Sequence, residues 1–189
     1  MVCWESLHER DAILLLEYSP IVASYEAQPS EETYYVRGVP HKYYPDLRAK
    51  LISEKVVDIE VKPSAKLKKR ANKEKYGRIA SRYAKQGRHF RVLTERDYRA
   101  QPLRSNLQRI HRASKIIKRA ADAVILMAKL GEGSQWSLNV AARLVGSEDR
   151  VLALVASHQL RIDLHGVINA QALVWLPGSK GGEDGSLFL

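Results

Sequence analysis

Apolar and polar positions change period several times along this chain of 189 residues. Over residues 6–17 a helix is expected: Leu7, Ile13, Leu14 and Leu16 supply apolar surface, with Ser6 as its cap and Ser19-Pro20 as its stop. Ile21, Ala23, Tyr25 and Ala27 then alternate with polar residues as far as Gln28-Pro29, which predicts a strand. Residues 34–36 and 43–51 predict two more strands, with Gly38 as the turn between them. The clearest strand is 56–62. A single basic helix follows from Ser64 to about Gln86, with Leu67, Ala71, Ile79 and Tyr83 on its inner face. Gly87 ends it, and 89–93 returns as a strand. Helices and strands mixed in this order predict an α/β domain over residues 1–104.

Beyond it the pattern becomes helical. Residues 107–130 read as a long helix, with Ile110, Ile117, Ala121, Val124 and Met127 at helical spacing. Shorter helices are predicted over 137–145 and 148–157, and two short strands over 160–164 and 172–176, joined through Gly166. Three helices and a terminal hairpin form the pattern of a winged helix-turn-helix domain, 105–176, a module that binds duplex DNA or proteins. Residues 177–189 are a Gly-rich tail ending in Leu187-Phe188-Leu189, a tip expected either to fray or to dock on a partner.

Composition narrows the classes. With 45% apolar and 28% charged residues the chain reads as a globular protein, not a disordered one. The longest apolar run, 12–16, is far short of the roughly 20 residues of a membrane span. The first residues lack a secretory signal, and the single cysteine, Cys3, excludes an internal disulfide and a Cys-rich zinc site. A bacterial cytoplasm suits these features. The net charge of +10 conceals three regions: −5 over 1–61, +17 over 62–119 and −2 over 120–189. Positive charge concentrated in the middle third points to a polyanion, most simply nucleic acid, or else to a solvated helix face. The six histidines show no metal spacing, and no phosphate-binding loop is present, so any use of ATP belongs to a partner.

The chemistry concentrates around the strand 56–62. Val57, Ile59 and Val61 share one face, and Asp58, Glu60 and Lys62 the other. In the preceding strand Leu47, Ala49 and Leu51 oppose Asp46, Arg48 and Lys50. Because both apolar faces must meet one core, only registers whose paired residue numbers sum to an even value survive. A turn centred on Ser53 sets Asp46 across from Glu60; one centred on Glu54 sets it across from Lys62. Either brings Asp46, Glu60 and Lys62 together with Cβ separations of about 5–8 Å. Two carboxylates at that range can share a Mg²⁺, and the ammonium can orient a water for attack on a phosphodiester. The plainer alternative is an exposed hairpin face with weak surface ion pairs. Glu9 is equally double: Ser6-x-x-Glu9 is a capping box as well as a candidate acidic site.

Pro45-Asp46 followed by Glu60-Val61-Lys62 resembles the P-D…E-x-K motif of the restriction-endonuclease-like nucleases. Residues 5–11 opening an apolar helix, Gln28-Pro29, Gly38 before Tyr44-Pro45-Asp46, Val92-Leu93-Thr94-Glu95 and Asn106-Leu107 occur in the same order in one family of that superfamily. Over about residues 4–112 the chain is similar to TnsA, the endonuclease subunit of transposons with a two-part transposase. Two features depart from the family: members carry a further segment upstream of the Glu-Ser motif, and Leu47 stands where they have an aromatic residue.

The resemblance implies a restriction-endonuclease-like mixed sheet flanked by helices, followed by a winged-helix domain. It implies a Mg²⁺-dependent DNA endonuclease, with Mn²⁺ a possible substitute, that cuts the strand next to the 5′ transposon ends during cut-and-paste transposition. Water would attack phosphorus, leaving a 5′-phosphate and a 3′-hydroxyl. Asp46, Glu60 and the Val61 backbone carbonyl would hold the metal, Lys62 would be the catalytic lysine, and Glu9 would assist. The implied partners are double-stranded DNA at the transposon ends, a TnsB-like transposase and a TnsC-like AAA+ ATPase. Lys66, Lys68, Lys69, Arg70, Lys73 and Lys75, directly after the strand, are placed to hold the DNA backbone. The alternatives are a stand-alone repair, restriction or resolvase-type nuclease on the same fold, or a non-catalytic DNA-binding adaptor.

Overall fold

A computed structural model of the chain describes residues 6–116, 120–129 and 134–178. The chain divides into two compact units between Arg99 and Ala100. That is five residues before the boundary expected at 104, because the helix that opens the second unit already starts at Leu103.

The first unit begins with α1 (Leu7–Tyr18), whose Ser6 hydroxyl accepts the Glu9 N–H as an N-cap. Strands β1 (Val22–Ala27), β4 (Leu47–Leu51), β5 (Val56–Val61) and β6 (His89–Leu93) form one sheet in the order β1-β4-β5-β6. The first two pairings are antiparallel and β5–β6 is parallel, so the sheet is mixed. A separate hairpin joins β2 (Glu32–Val36) to β3 (Val39–Tyr43). Its turn uses Arg37 and Gly38, both at positive φ, a conformation glycine adopts without strain. The expected strand 43–51 is two strands, interrupted at Tyr44-Pro45-Asp46, since Pro45 has no N–H to continue a ladder.

The expected single helix 64–86 is also two, α2 (Ser64–Leu67) and α3 (Arg70–Lys85). The backbone turns extended at Lys69, and α3 starts anew from there. Leu67, Tyr76, Ile79 and Tyr83 nonetheless pack in one cluster with Tyr43, Tyr34, Phe90 and Val92. This cluster covers the Asp58/Glu60 face of the sheet. The opposite face carries Leu47, Ala49, Leu51, Val57, Ile59 and Val61, all buried, and α1 packs against β1 and β5. A short helix, α4 (Glu95–Tyr98), closes the unit with a capping box between Thr94 and Asp97.

The second unit holds α5 (Leu103–Ala113), α6 (Ala120–Lys129), α7 (Leu138–Val145) and α8 (Glu148–Ala156). The expected long helix 107–130 therefore ends at Ala113 and resumes at Ala120; residues 117–119 and 130 lie outside the described residues. Gly146, at φ 99°, terminates α7, and Ser147 caps α8, whose first turn carries Glu148 and Asp149. Both α5 and α7 pack on α8. The expected hairpin is shorter, β8 (Arg161–Ile162) with β9 (Leu173–Trp175), and β7 (Gln135–Ser137) adds a third antiparallel strand on the other side of β9. Asn106 ties the strand connection to α5, donating to the Leu164 and Gly166 carbonyls at 2.9 and 2.7 Å. Most of the expected tail, from residue 179 on, lies outside the described residues, as do residues 1–5. Among the described residues no helix is long and apolar enough to cross a membrane.

Candidate active site

The register of β4 on β5 decides where the carboxylates fall. Lys50 pairs with Val56, Ala49 with Val57 and Arg48 with Asp58, a turn centred on Ser53. Extended by one position past Leu47–Ile59, it sets Asp46 opposite Glu60. Asp46 Oδ2 accepts the Val61 N–H at 2.7 Å, which ties the Pro45-Asp46 corner to the end of β5. Lys62 Nζ lies 2.8 Å from Glu60 Oε1. Asp46, Glu60, Val61 and Lys62 are thus brought to one end of the β4–β5 pair.

This face of β5 is not the exposed hairpin surface that alternating polarity allows. Glu60 is 3% exposed and Asp58 2%. Covering them are tyrosines: Tyr83, expected on the inner face of the basic helix, and Tyr43 and Tyr76, whose part the sequence does not mark. The Tyr43 hydroxyl donates to Glu60 Oε2 at 2.8 Å and the Tyr76 hydroxyl to Glu60 Oε1 at 2.6 Å. Lys75 Nζ sits 5.2 Å from the Tyr43 ring centre and 5.3 Å from that of Tyr76, a cation–π contact on both. Two turns along α3, the Tyr83 hydroxyl donates to Asp58, which also receives Arg48 and Arg88. Asp58 is therefore a structural anion held by two guanidiniums, while Glu60 carries phenols and one ammonium. The available signal was the spacing of Tyr76 and Tyr83, seven residues apart on the inner face of one helix, which puts both over one strand face.

Electrostatics separate Asp46 from an ordinary surface acid. Burial, and then the adjacent charge of Glu60, push the Asp46 carboxyl up to about 6, against the opposing pull of the Val61 N–H and Lys62. Burial works against the Lys62 ammonium, but its hydrogen bond to Glu60 and the charges of Glu60, Asp46 and Glu9 hold it above the ordinary lysine range. Glu9 is thus near enough for its charge to act on both Asp46 and Lys62. Its carboxylate is also turned to its own helix start, with the Ser6 hydroxyl donating to Oε1 at 2.9 Å.

Among the described residues no three His, Cys, Asp or Glu side chains converge to hold a metal ion. The site offers a cation two carboxylates and a backbone oxygen. The Lys62 N–H donates to Leu93 on β6, so by alternation the Val61 peptide groups face the other edge, toward Asp46. Hard oxygen donors around two crowded, half-desolvated carboxylates suit Mg²⁺, which keeps several waters of its own. The raised Asp46 pKa marks negative charge that such a cation would neutralise.

Of the six cations proposed for DNA, Lys66, Lys68, Lys69, Arg70 and Lys73 are exposed on α2, the linker and the first turns of α3. Arg70 is paired with Glu74 at 2.8 Å. Lys75 is half-buried over the tyrosines. Glu95, at the start of α4, accepts both the hydroxyl and the N–H of Ser64, and these bonds lower its carboxyl to about 2. It thereby pins the start of α2 directly after Lys62-Pro63.

No protein-family model matches the chain, and no curated protein matches it. The resemblance to TnsA rests on the motif residues themselves.

Proposed function

We propose that this chain is a Mg²⁺-dependent DNA endonuclease, the TnsA-like subunit of a heteromeric transposase that cuts the strand next to the 5′ transposon ends. The observation that carries this reading is the convergence of Asp46, Glu60, Val61 and Lys62 at one end of β4–β5. The mixed sheet with α1 on one face and α3 on the other supports a restriction-endonuclease-like core. The α7–Gly146–α8 corner and the β8–β9 pair support a winged-helix second domain.

In this reading Asp46, Glu60 and the Val61 carbonyl hold the cation. When bound, Mg²⁺ or Mn²⁺ supplies positive charge to the phosphoryl oxygens and acidifies water. Tyr43 and Tyr76 keep the Glu60 carboxylate in one rotamer, so its geometry does not have to be selected at each turnover. The Lys62 ammonium, protonated beside Glu60, presents N–H donors at Nζ to a water or to a non-bridging phosphate oxygen. Glu9 adds negative charge that favours the ammonium form of Lys62. A TnsB-like transposase would cut the other strand, and a TnsC-like AAA+ ATPase would supply the ATP-dependent control for which this chain has no phosphate-binding loop.

The test is strand nicking by the assembled complex in Mg²⁺. Asp46→Ala and Glu60→Ala should each abolish nicking while leaving duplex binding within a few-fold. Nicking at the parent rate by both variants would refute the assignment.

A further inference from the structure

On α3, the inner face meets Glu60 and Asp58, but the outer face forms a second feature that the candidate active site does not use. A groove of about 550 Å³ runs along it, walled on one side by Tyr35 of β2. Lys73, Gly77, Ser81 and Lys85 follow one another at four-residue intervals, so they form an inclined row that advances about 18 Å along the helix axis. The two small residues form its floor; a Cβ added at Gly77 would meet no atom within 4 Å. Arg78 and Arg82 flank the floor.

The charge of this groove is uncommitted. Several other arginines of the unit are paired with carboxylates: Arg48 and Arg88 with Asp58, Arg99 with Asp11, Arg91 with Asp97. Among the described residues, Lys73, Arg78, Arg82 and Lys85 form no ion pair. The one acid in the lining, Glu74, is engaged by Arg70. The Arg82 guanidinium is held over the Tyr35 ring, 5.2 Å from its centre, and its Nε is buried without a hydrogen-bond partner among the described residues. The stacking on Tyr35 holds the guanidinium at the wall of the groove, where its terminal N–H groups are the ones an anionic oxygen can meet.

We propose that this groove is a docking site for the phosphate backbone of duplex DNA, separate from the carboxylate site and on the opposite face of the same helix. The choice of DNA as the polyanion rests on the nuclease reading above. The form of the groove favours a regular, linear anion. Its cations are strung along the helix axis at steps of about 7.5, 6 and 4.5 Å. Two guanidiniums supply forked donors suited to phosphate oxygens, and the small floor lets the backbone approach the helix closely. The groove would hold DNA flanking the cleaved bond, and Lys73 connects it to the cations 66–70 at the start of α3.

The experiment is fluorescence anisotropy of a labelled random-sequence duplex with the full chain over a salt series, with circular dichroism to confirm folding. The double variant Arg78→Ala/Lys85→Ala, both exposed positions, should bind more weakly and lower the slope of log K against log salt by about 1.8, or 0.9 for each phosphate no longer neutralised. Gly77→Glu, which fills the floor with negative charge, should weaken binding at least tenfold, whereas Gly77→Ala should leave it within twofold. Parent affinity and slope in the double variant would overturn the proposal. So would loss of polyglutamate binding with duplex binding retained, which would assign the groove to an acidic polypeptide. Nicking by the Asp46→Ala and Glu60→Ala complexes tests the nuclease reading separately, so either can fall without the other.

Discussion

Asp46 is held in a conflict that has a measurable cost. Its carboxyl is raised to about 6 because it is desolvated beside Glu60, whereas in the unfolded chain it titrates near 3.8. Below about pH 4 it is protonated in both states. Between about 4 and 6 the folded state keeps a proton that the unfolded chain releases, so the stability of the cation-free protein falls as pH rises through that window. Two pKa units correspond to at most about 3 kcal/mol, and partial exposure of the side chain reduces this to about 1–2 kcal/mol. Asp46→Asn keeps an acceptor for the Val61 N–H and removes the charge. In chelator at pH 7 it should therefore raise stability by about 1–2 kcal/mol, with the gain absent at pH 4. Saturating Mg²⁺ should stabilise the parent and not the variant, reversing their order. Thermal unfolding at the two pH values, with and without Mg²⁺, measures both. At this scale the acidic cluster was legible, because parity alone forces Asp46, Glu60 and Lys62 to one face. Tyr43 and Tyr76 were not, since nothing local to a tyrosine says which distant carboxylate its hydroxyl will meet.

Strand β5 is buried on both faces, and its second face is made possible by ion pairing instead of apolar packing. Asp58 is 2% exposed and accepts Arg48 at 2.5 and 2.9 Å, Arg88 at 2.9 Å and Tyr83 at 2.7 Å. Arg88 in turn engages Glu32 of the β2–β3 hairpin. Removing the central anion leaves two guanidiniums partly buried against each other with only Glu32 between them. Asp58→Ala should therefore cost about 3–5 kcal/mol in urea unfolding, within the range for breaking a buried pair. A cost below about 1 kcal/mol would mean that water replaces the carboxylate there. The elements themselves divide by how local their signals are. α1, β5, β6 and α8 were legible because their period, caps and stops agree within the segment. The helix 64–86 was not, because no glycine or proline marks the break at Lys69. The interruption follows instead from Leu67 and Tyr76 both reaching one cluster, and from Glu95 holding Ser64 at the start of α2. The same lack of a local stop merged α5 with α6. Strand β7 is three residues long and gains its identity only from pairing with β9.

At the scale of the whole chain, the tyrosines fall on one side of the boundary at Arg99/Ala100. All nine tyrosines precede it, and Trp136 and Trp175 follow it on paired strands β7 and β9. Each unit has its own core: Leu47, Ile59, Ile79 and Leu93 in the first; Leu107, Ile110, Leu126 and Leu152 in the second. Separate cores imply separate cooperative transitions, so a single free energy of unfolding does not describe the chain. In a Trp4→Phe background, tryptophan fluorescence should follow the second unit and tyrosine absorbance the first. Asp58→Ala should then move the tyrosine transition to lower urea and leave the tryptophan transition in place. Asn106→Ala should do the reverse. It removes two donors from the Leu164 and Gly166 carbonyls and should destabilise the second unit by about 2 kcal/mol. If each substitution instead shifts both probes equally, the two cores unfold as one. The second unit would then be part of the stability of the first, and its core could not be altered without disturbing Asp46 and Glu60.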